Sequence, residues 1–242
     1  MERKHPGCGG TVTPFDQDVA RGQGYRYTGT DRLSAVLANR RYTAMILGAA
    51  EFRDKRVLDM GSGDGTYTAE LARQSGARAV LGVEPSVNGV TRARQAYQLP
   101  NLAFQAGFAG DLLAAGERFD LVVLRGVIHH MTDPAAELAI GLQLAPTLVL
   151  LEPNGWNPLM KLVEKLSPYH REHEERSFRP GQVRGWLQRA GGRVVRIEYF
   201  GLVPYFCPDW LARSGQRLEP RVESWPALAR FACGQYLLVA GR

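Results

Sequence analysis

The stretch VLDMGSGDGTYTAEL, residues 57–71, carries the pattern that decides the fold. A short apolar run ends at Asp59, glycines follow at alternate positions from Gly61 to Gly65, and a helical pattern begins at about Thr66. Glycines between a strand and a helix let the backbone approach a ligand where side chains would clash. The stretch therefore predicts a nucleotide- or nucleoside-binding turn in an α/β fold.

Strand and helix patterns alternate on both sides of this turn. Short apolar runs predict strands at residues 56–60, 78–84, 102–106, 119–124, 147–152, 193–200 and 235–241. Helical patterns lie at residues 31–50, 65–76, 86–98, 133–145 and 180–192, and residues 111–116 are predicted to form a turn. Continuous apolar strands that alternate with helices indicate a parallel sheet covered on both faces. We predict an α/β fold with a doubly wound, Rossmann-like sheet.

The regular alternation has three exceptions. Residues 1–50 predict an N-terminal lid and helix, and residues 51–242 form the ligand-binding domain. Within that domain, residues of about 155–178 and 201–232 break the pattern and are predicted to be cap insertions. Connections of this length usually serve a function or pack as a layer of their own.

The composition of the 242 residues is that of a packed globular protein, with 45% hydrophobic residues and a net charge of +6. No long apolar run or signal-peptide pattern is present, which predicts a cytoplasmic protein with no membrane partner. The basic residues are scattered among acids, which argues against nucleic acid as a partner. Three widely spaced cysteines, at 8, 207 and 233, fit a reducing compartment and predict no metal site.

Spacing and charge distinguish between possible ligands of the glycine turn. The third glycine comes one residue earlier than in the dinucleotide fingerprint. Asp59 and Asp64 would repel a pyrophosphate but would suit the ammonium and sulfonium groups of S-adenosylmethionine. The alternative for Asp64 is that it complements the positive end of its own helix. Glu84 is expected to accept hydrogen bonds from ribose hydroxyls, or else to be a solvent-facing loop acid.

These residues resemble the class I S-adenosylmethionine-dependent methyltransferases. The resemblance runs from about residue 40 to the C-terminus and rests on VLDMGSGDG, LGVEPS, FDLVVLRGVIHHMTDP and LVLLEPN, in the family's order and spacing. It implies a seven-stranded sheet whose last strand is antiparallel, with S-adenosylmethionine as cofactor.

The segment AGFAG, residues 106–110, departs from the family pattern. An acid that accepts the adenine amino group is usual there, whereas this chain has Phe108. We expect Phe108 to stack on the adenine, with backbone groups completing its recognition, unless Asp111 reaches back. The cofactor-binding residues predicted in all are Asp59, Gly61, Ser62, Gly63, Glu84, Phe108, Ala109, Arg125 and Tyr27.

Two of these residues have open alternatives. Arg125 is placed to bind the methionine carboxylate or to form a salt bridge with the protein's own acids. Tyr27, in the segment at 24–31, could close over the cofactor or could simply pack as part of a tail.

His129 and His130 follow the fourth predicted strand at the edge where doubly wound sheets bind ligands. Because histidine titrates near neutral pH, each is a candidate general base; structural packing against the loop is the alternative. Glu152 and Asn154 end the next strand and would either bind the acceptor or cap the following turn.

The cap insertions supply two further candidates, His170 and Tyr205, as substrate-binding residues. His170 belongs to a His-x-x-His pattern, but the pattern lacks a rigid second pair of ligands, and no metal is predicted there.

The function predicted is methyl transfer to oxygen or nitrogen of a small molecule, such as a natural product or sugar in biosynthesis. The alternatives are an RNA or protein methyltransferase, and a non-catalytic module that binds S-adenosylmethionine. The aromatic stretch at residues 199–210 leaves a homodimer open.

Overall fold

The computed structural model describes residue 28 and residues 32–166, 176–204 and 207–242. Within these residues it contains one seven-stranded sheet. Its strands are β1 Arg56–Met60, β2 Ala79–Glu84, β3 Leu102–Ala106, β4 Leu121–Arg125, β5 Thr147–Pro153, β6 Arg193–Phe200 and β7 Gln235–Gly241. The spatial order is β3-β2-β1-β4-β5-β7-β6. β7 runs antiparallel to both β5 and β6, which confirms the predicted Rossmann-like sheet with an antiparallel last strand.

Helices cover both faces of the sheet. They are α1 Leu33–Leu47, α2 Thr66–Gln74, α3 Val87–Ala96, α4 Ala109–Ala114, α5 Pro134–Leu144, α6 Pro158–Leu166, α7 Pro180–Arg189, α8 Asp209–Glu223 and α9 Pro226–Ala232. No helix in the described part of the chain is both long enough and apolar enough to cross a bilayer.

The two sheet faces bury different side chains of the same strands. Leu58 of β1 and Leu150 of β5 pack on the side of α5 and α7, whereas Val57 and Leu151 pack on the side of α1 and α2. Successive residues of a strand point to opposite faces, so covering both faces requires continuous apolar runs. This explains why the strands could be located from composition.

Polar residues at helix starts set several boundaries. The Ser86 hydroxyl accepts a hydrogen bond from Gly89 N at 3.0 Å, and Asp133 Oδ1 accepts one from Ala136 N at 3.0 Å, with Pro134 as the first residue of α5. Such side chains satisfy the free N–H groups of a first turn. The predicted starts near residues 86 and 133 agree with α3 and α5.

The prediction of a turn at residues 111–116 was wrong, because most of this segment belongs to α4. A helix of six residues is too short to show a helical period in the sequence. Asp111 Oδ2 accepts a hydrogen bond from Phe108 N at 3.1 Å, and Gly116 follows the helix with φ +80°.

The described parts of the two predicted cap insertions are partly helical. α6 lies in the first insertion, and α8 and α9 lie in the second, between β6 and β7. Asn154 Nδ2 donates hydrogen bonds to Arg230 O and Cys233 O, each at 2.9 Å. These bonds attach the end of α9 to the chain that follows β5.

Candidate active site

The glycine turn after β1 is held in a backbone conformation that requires glycine. Gly61, Gly63 and Gly65 have φ values of +80°, +55° and +80°. A Cβ at Gly61 would overlap the Val127 side chain, and a Cβ at Gly65 would lie 2.7 Å from Phe104 Cζ. Gly61 N donates to Val83 O at 2.9 Å, which joins the turn to β2. The turn therefore lies tightly between the ends of neighbouring strands.

A cavity opens beside this turn at the carboxyl edge of the sheet. The sequence analysis placed most of its lining residues there: Gly61, Ser62, Gly63, Asp64, Glu84, Phe108, Ala109, Arg125 and His130. The sequence analysis missed others, among them Thr28, Met60, Tyr67, Met131 and Glu137. Tyr67 is the residue that could have been found, because it lies in the first turn of the helix that follows the glycines.

Two carboxylates of the cavity are held by the backbone of the glycine turn. Glu84 Oε2 accepts a hydrogen bond from Gly63 N at 3.0 Å, and Glu84 Oε1 accepts one from Ser86 N at 3.0 Å. Asp64 Oδ1 accepts from Thr66 N at 3.1 Å, and Asp64 Oδ2 accepts from the Thr28 hydroxyl at 2.9 Å. Asp64 thus both lines the cavity and contacts the start of α2, so the two roles considered for it are compatible.

Asp59 does not line the cavity as the second acid beside Asp64. Its side chain is buried, and Asp59 Oδ2 accepts a hydrogen bond from the Thr68 hydroxyl of α2 at 2.6 Å. The reason is strand alternation: Asp59 follows Leu58 and therefore points to the face that α1 and α2 cover. Burial raises the pKa of Asp59 to about 6, against a smaller lowering by Thr68 and Arg125. The acids that face the cavity are Asp64 and Glu84.

Arg125, at the end of β4, lines the cavity and is held from behind by neutral groups. Arg125 Nη1 donates to the Thr43 hydroxyl at 2.8 Å, and Arg125 Nη2 donates to Asn39 Oδ1 at 3.1 Å. Its guanidinium lies 3.5 Å from the centroid of the Tyr67 ring. These described partners are a hydroxyl, an amide and an aromatic ring, not an acid, which leaves the positive charge available to a ligand carboxylate.

The histidine pair lies in a single 3-10 turn, residues 128–130, directly after β4. Glu152, fully buried at the end of β5, organises this turn. Glu152 Oε1 accepts hydrogen bonds from Val127 N at 2.7 Å and Ile128 N at 2.9 Å, and Glu152 Oε2 lies 2.7 Å from His129 Nδ1. Its side chain therefore has the capping role that the sequence analysis gave as an alternative to acceptor binding.

The two histidines occupy different places. His129 is buried and contacts Glu152, whereas His130 lines the cavity. Their ring centroids are 3.9 Å apart with a tilted arrangement. Of the two base candidates, His130 is the one that the structure brings to the cavity.

Comparison with known proteins decides the family. A family model described as "Methyltransferase domain" matches residues 33–197, more than half of the chain. The ubiquinone biosynthesis O-methyltransferase of Cereibacter sphaeroides is 34% identical over 197 residues, which cover 79% of this chain and 75% of that protein. The chain belongs to the class I S-adenosylmethionine-dependent methyltransferases.

Solved structures share the fold of this methyltransferase chain. Magnesium protoporphyrin IX methyltransferase from Synechocystis PCC 6803, solved with bound S-adenosylhomocysteine, superposes with a TM-score of 0.63 at 19% identity, covering 96% of this chain and 95% of that one. The [4+2]-cyclase SpnF superposes with a TM-score of 0.66 at 21% identity, covering 96% and 93%. The fold is therefore shared by proteins with different named activities.

The similarity to several curated relatives is partial. In two further ubiquinone biosynthesis O-methyltransferases, from Cereibacter sphaeroides and Azorhizobium caulinodans, the matched region covers 35% and 37% of the relative, at 35% and 34% identity. The chain thus spans about a third of the length of these relatives in the alignment.

The charges of the cavity suit the cofactor of the methyltransferase family. S-adenosylmethionine carries an ammonium, a sulfonium and a carboxylate, and the cavity offers two carboxylates with one guanidinium. Phe108 and Ala109, which follow β3, line the same cavity. Asp111 is bonded to Phe108 N, so its hydrogen bond to that backbone group competes with a reach toward adenine.

Three predicted site residues lie outside the described residues: Tyr27, His170 and Tyr205. Asn154 is described, and it is fully buried with its amide bonded to the end of α9, away from the cavity lining. Among the described ranges there is no cluster of three or more histidine, cysteine or acidic residues that could hold a metal.

Proposed function

We propose that this methyltransferase transfers the methyl group of S-adenosylmethionine to a hydroxyl oxygen of a small molecule. The observation that carries the proposal is that His130 lines the same cavity as the glycine turn and the acids Asp64 and Glu84. The names of the relatives, which are O-methyltransferases, support oxygen over nitrogen as the acceptor atom.

The cofactor would be held by charge and by shape. Asp64 and Glu84 offer acceptors to its ammonium and ribose hydroxyls, and Arg125 offers donors to its carboxylate. The Phe108 ring offers a face for the adenine. When bound, the cofactor supplies an electrophilic methyl group attached to a good leaving group.

His130 would take the proton from the acceptor hydroxyl as the oxygen attacks. The hydrogen bonds from Val127 N and Ile128 N to Glu152 fix the turn that precedes His130. Position matters because alignment of reacting groups lowers such barriers by about 7–11 kcal/mol, whereas a general base adds about 10²–10⁴-fold in rate. The two cap insertions are the segments we expect to shape the acceptor site.

The test is a radiolabelled methyl-transfer assay on the whole chain with a panel of phenolic, catecholic and sugar hydroxyl acceptors. We expect His130→Asn to lower kcat by about 10²–10⁴-fold, with the loss shrinking as pH approaches the pKa of the acceptor hydroxyl. Its affinity for S-adenosylmethionine should stay close to that of the unaltered protein. Labelling of amines or RNA alone, or of no acceptor, contradicts the proposal.

A further inference from the structure

Large hydrophobic side chains are exposed mainly on three helices of the described chain. Apart from Val87 and Val195, all of the strongly exposed ones lie on α6, α8 and α9 or at the residue that joins α8 to α9. They are Leu159, Leu162, Leu166, Trp210, Leu211, Leu218, Trp225, Leu228 and Phe231. We call these nine side chains the cap surface. Their clustering matters because scattered exposed residues are ordinary, whereas an extended exposed apolar region marks a contact site.

The helices that carry the cap surface are neighbours. Asn157, just before α6, donates from Nδ2 to Ala232 O of α9 at 3.0 Å. The rings of Trp156 and Phe231 meet edge to face with centroids 6.1 Å apart. α8 and α9 are separated only by Ser224 and Trp225. The exposed side chains therefore lie on one connected part of the molecule, beyond the end of β5.

The inward side of α8 is fixed to the rest of the protein. Glu219 Oε1 accepts hydrogen bonds from Leu202 N at 2.9 Å and Val203 N at 3.2 Å. Glu223 forms an ion pair with Arg41 of α1. The acidic residues of the second half of α8 are thus turned inward, and the opposite side of the helix is presented to solvent.

The outward side of α8 is cationic as well as apolar. Arg213, Arg217 and Arg221 are all exposed and are spaced four residues apart, so they form a row along the helix. Leu211 and Leu218 lie beside this row, and the exposed fractions of Trp210 and Trp225 are 70% and 69%. Asp209 in the first turn is the exposed acid of the helix.

This combination selects among the possible occupants of the surface. In a twofold dimer the same patch meets itself, so the arginine rows of two copies would face each other across the axis. A lipid bilayer with anionic headgroups instead offers phosphates to the arginines and an apolar layer to the leucines. Tryptophan favours the boundary between the two. Helices with one apolar side and one basic side lie in this boundary without crossing the bilayer.

We propose that the cap surface docks this protein onto bilayers that contain anionic phospholipids, with α8 and α9 lying in the plane of the headgroups. The sequence analysis expected no membrane partner because no long apolar run is present. That criterion concerns spanning helices, and it does not apply to helices that lie on a surface.

The test is co-sedimentation of the full chain with vesicles of phosphatidylcholine alone and of phosphatidylcholine with one quarter phosphatidylglycerol. We expect binding to the anionic vesicles to be at least about tenfold tighter and to weaken as salt is raised. Each of Arg213→Gln, Arg217→Gln and Arg221→Gln should weaken it by about fivefold.

Apolar variants separate the surface from general stickiness. Leu218→Glu and Trp225→Glu should lower anionic-vesicle binding by at least about tenfold. The matched control is Val195→Glu, at a valine that is 56% exposed on β6 and outside the cap surface, and it should leave vesicle binding unchanged. Circular dichroism and S-adenosylmethionine affinity of each variant check that it is folded.

Three outcomes would overturn the proposal. The first is no binding to anionic vesicles by the folded protein, and the second is equal binding to neutral vesicles. The third is light scattering that shows a dimer that Leu218→Glu and Trp225→Glu dissociate, since the surface would then belong to a second copy of the chain.

Discussion

Glu152 of β5 and His129 of the turn after β4 are in direct contact, with Glu152 Oε2 2.7 Å from His129 Nδ1. The same carboxylate accepts the N–H groups of Val127 and Ile128. One fully buried side chain therefore joins the ends of two neighbouring strands and fixes the segment that carries His130.

Replacing Glu152 should cost stability because it leaves buried donors without an acceptor. We expect Glu152→Ala to lower the free energy of unfolding by about 3–5 kcal/mol. Glu152→Gln retains one oxygen for the two backbone N–H groups and should cost less than half as much. Urea denaturation measures both values. A loss below about 1 kcal/mol for the alanine variant would show that the contact is not structural.

Gly61 should not tolerate a side chain, for two separable reasons. Its φ of +80° strains any other residue, and an added Cβ would overlap Val127. Gly116 has the same φ of +80° but nothing within 4 Å of an added Cβ. Gly116→Ala should therefore cost only the backbone strain, about 1–2 kcal/mol, and Gly61→Ala should cost more.

The same pair of variants separates the site from the scaffold. S-adenosylmethionine affinity, measured by calorimetry at a temperature where both are folded, should fall for Gly61→Ala and stay unchanged for Gly116→Ala. Equal effects of the two on stability and affinity would contradict the role given to the turn.

Phe108 should contribute to cofactor affinity through its ring. Phe108→Ala should weaken S-adenosylhomocysteine binding by at least about fivefold, in keeping with the energy of an aromatic contact. Phe108→Tyr keeps the ring and should bind normally. If the alanine variant binds as tightly as the unaltered protein, adenine is recognised by other groups.

Asp59 should give the protein a measurable pH dependence of stability. Its pKa is raised from 3.8 to about 6 by burial, so the folded state holds the proton more tightly than the unfolded state. The stabilisation this provides is present below pH 3.8 and is lost as pH rises to about 6. Asp59→Asn keeps a hydrogen-bond acceptor for Thr68 and removes the charge.

The measurement for Asp59 is the difference in unfolding free energy between Asp59→Asn and the unaltered protein. This difference should increase in favour of the variant by about 3 kcal/mol between acidic and neutral pH. A difference that does not change with pH would mean that Asp59 ionises normally in the folded state.

Much of the sheet and of the glycine turn could be predicted because their signals are local. Buried parallel strands must be apolar throughout, and a tight turn beside a ligand needs glycine, so both are visible in the residues themselves. The direction of Asp59 was missed because alternation along β1 shows which residues share a face, but not which face meets the cavity.

The roles of Glu152 and Asn154 could not be read from the sequence for a different reason. Glu152 contacts residues 127–129, and Asn154 contacts residues 230 and 233. These partners are brought close only by strand pairing and by the return of the chain after α9. A polar residue at a strand end looks the same in the sequence whether it meets a ligand or another loop.

The most direct test of the account is a calorimetric titration of the whole chain with S-adenosylmethionine, S-adenosylhomocysteine and NAD⁺. We predict dissociation constants below about 100 μM for both adenosyl ligands, and at least about 100-fold weaker binding of NAD⁺, since Asp64 and Glu84 repel a pyrophosphate. Tight binding of NAD⁺ by a protein that ignores both adenosyl ligands would contradict the central claim.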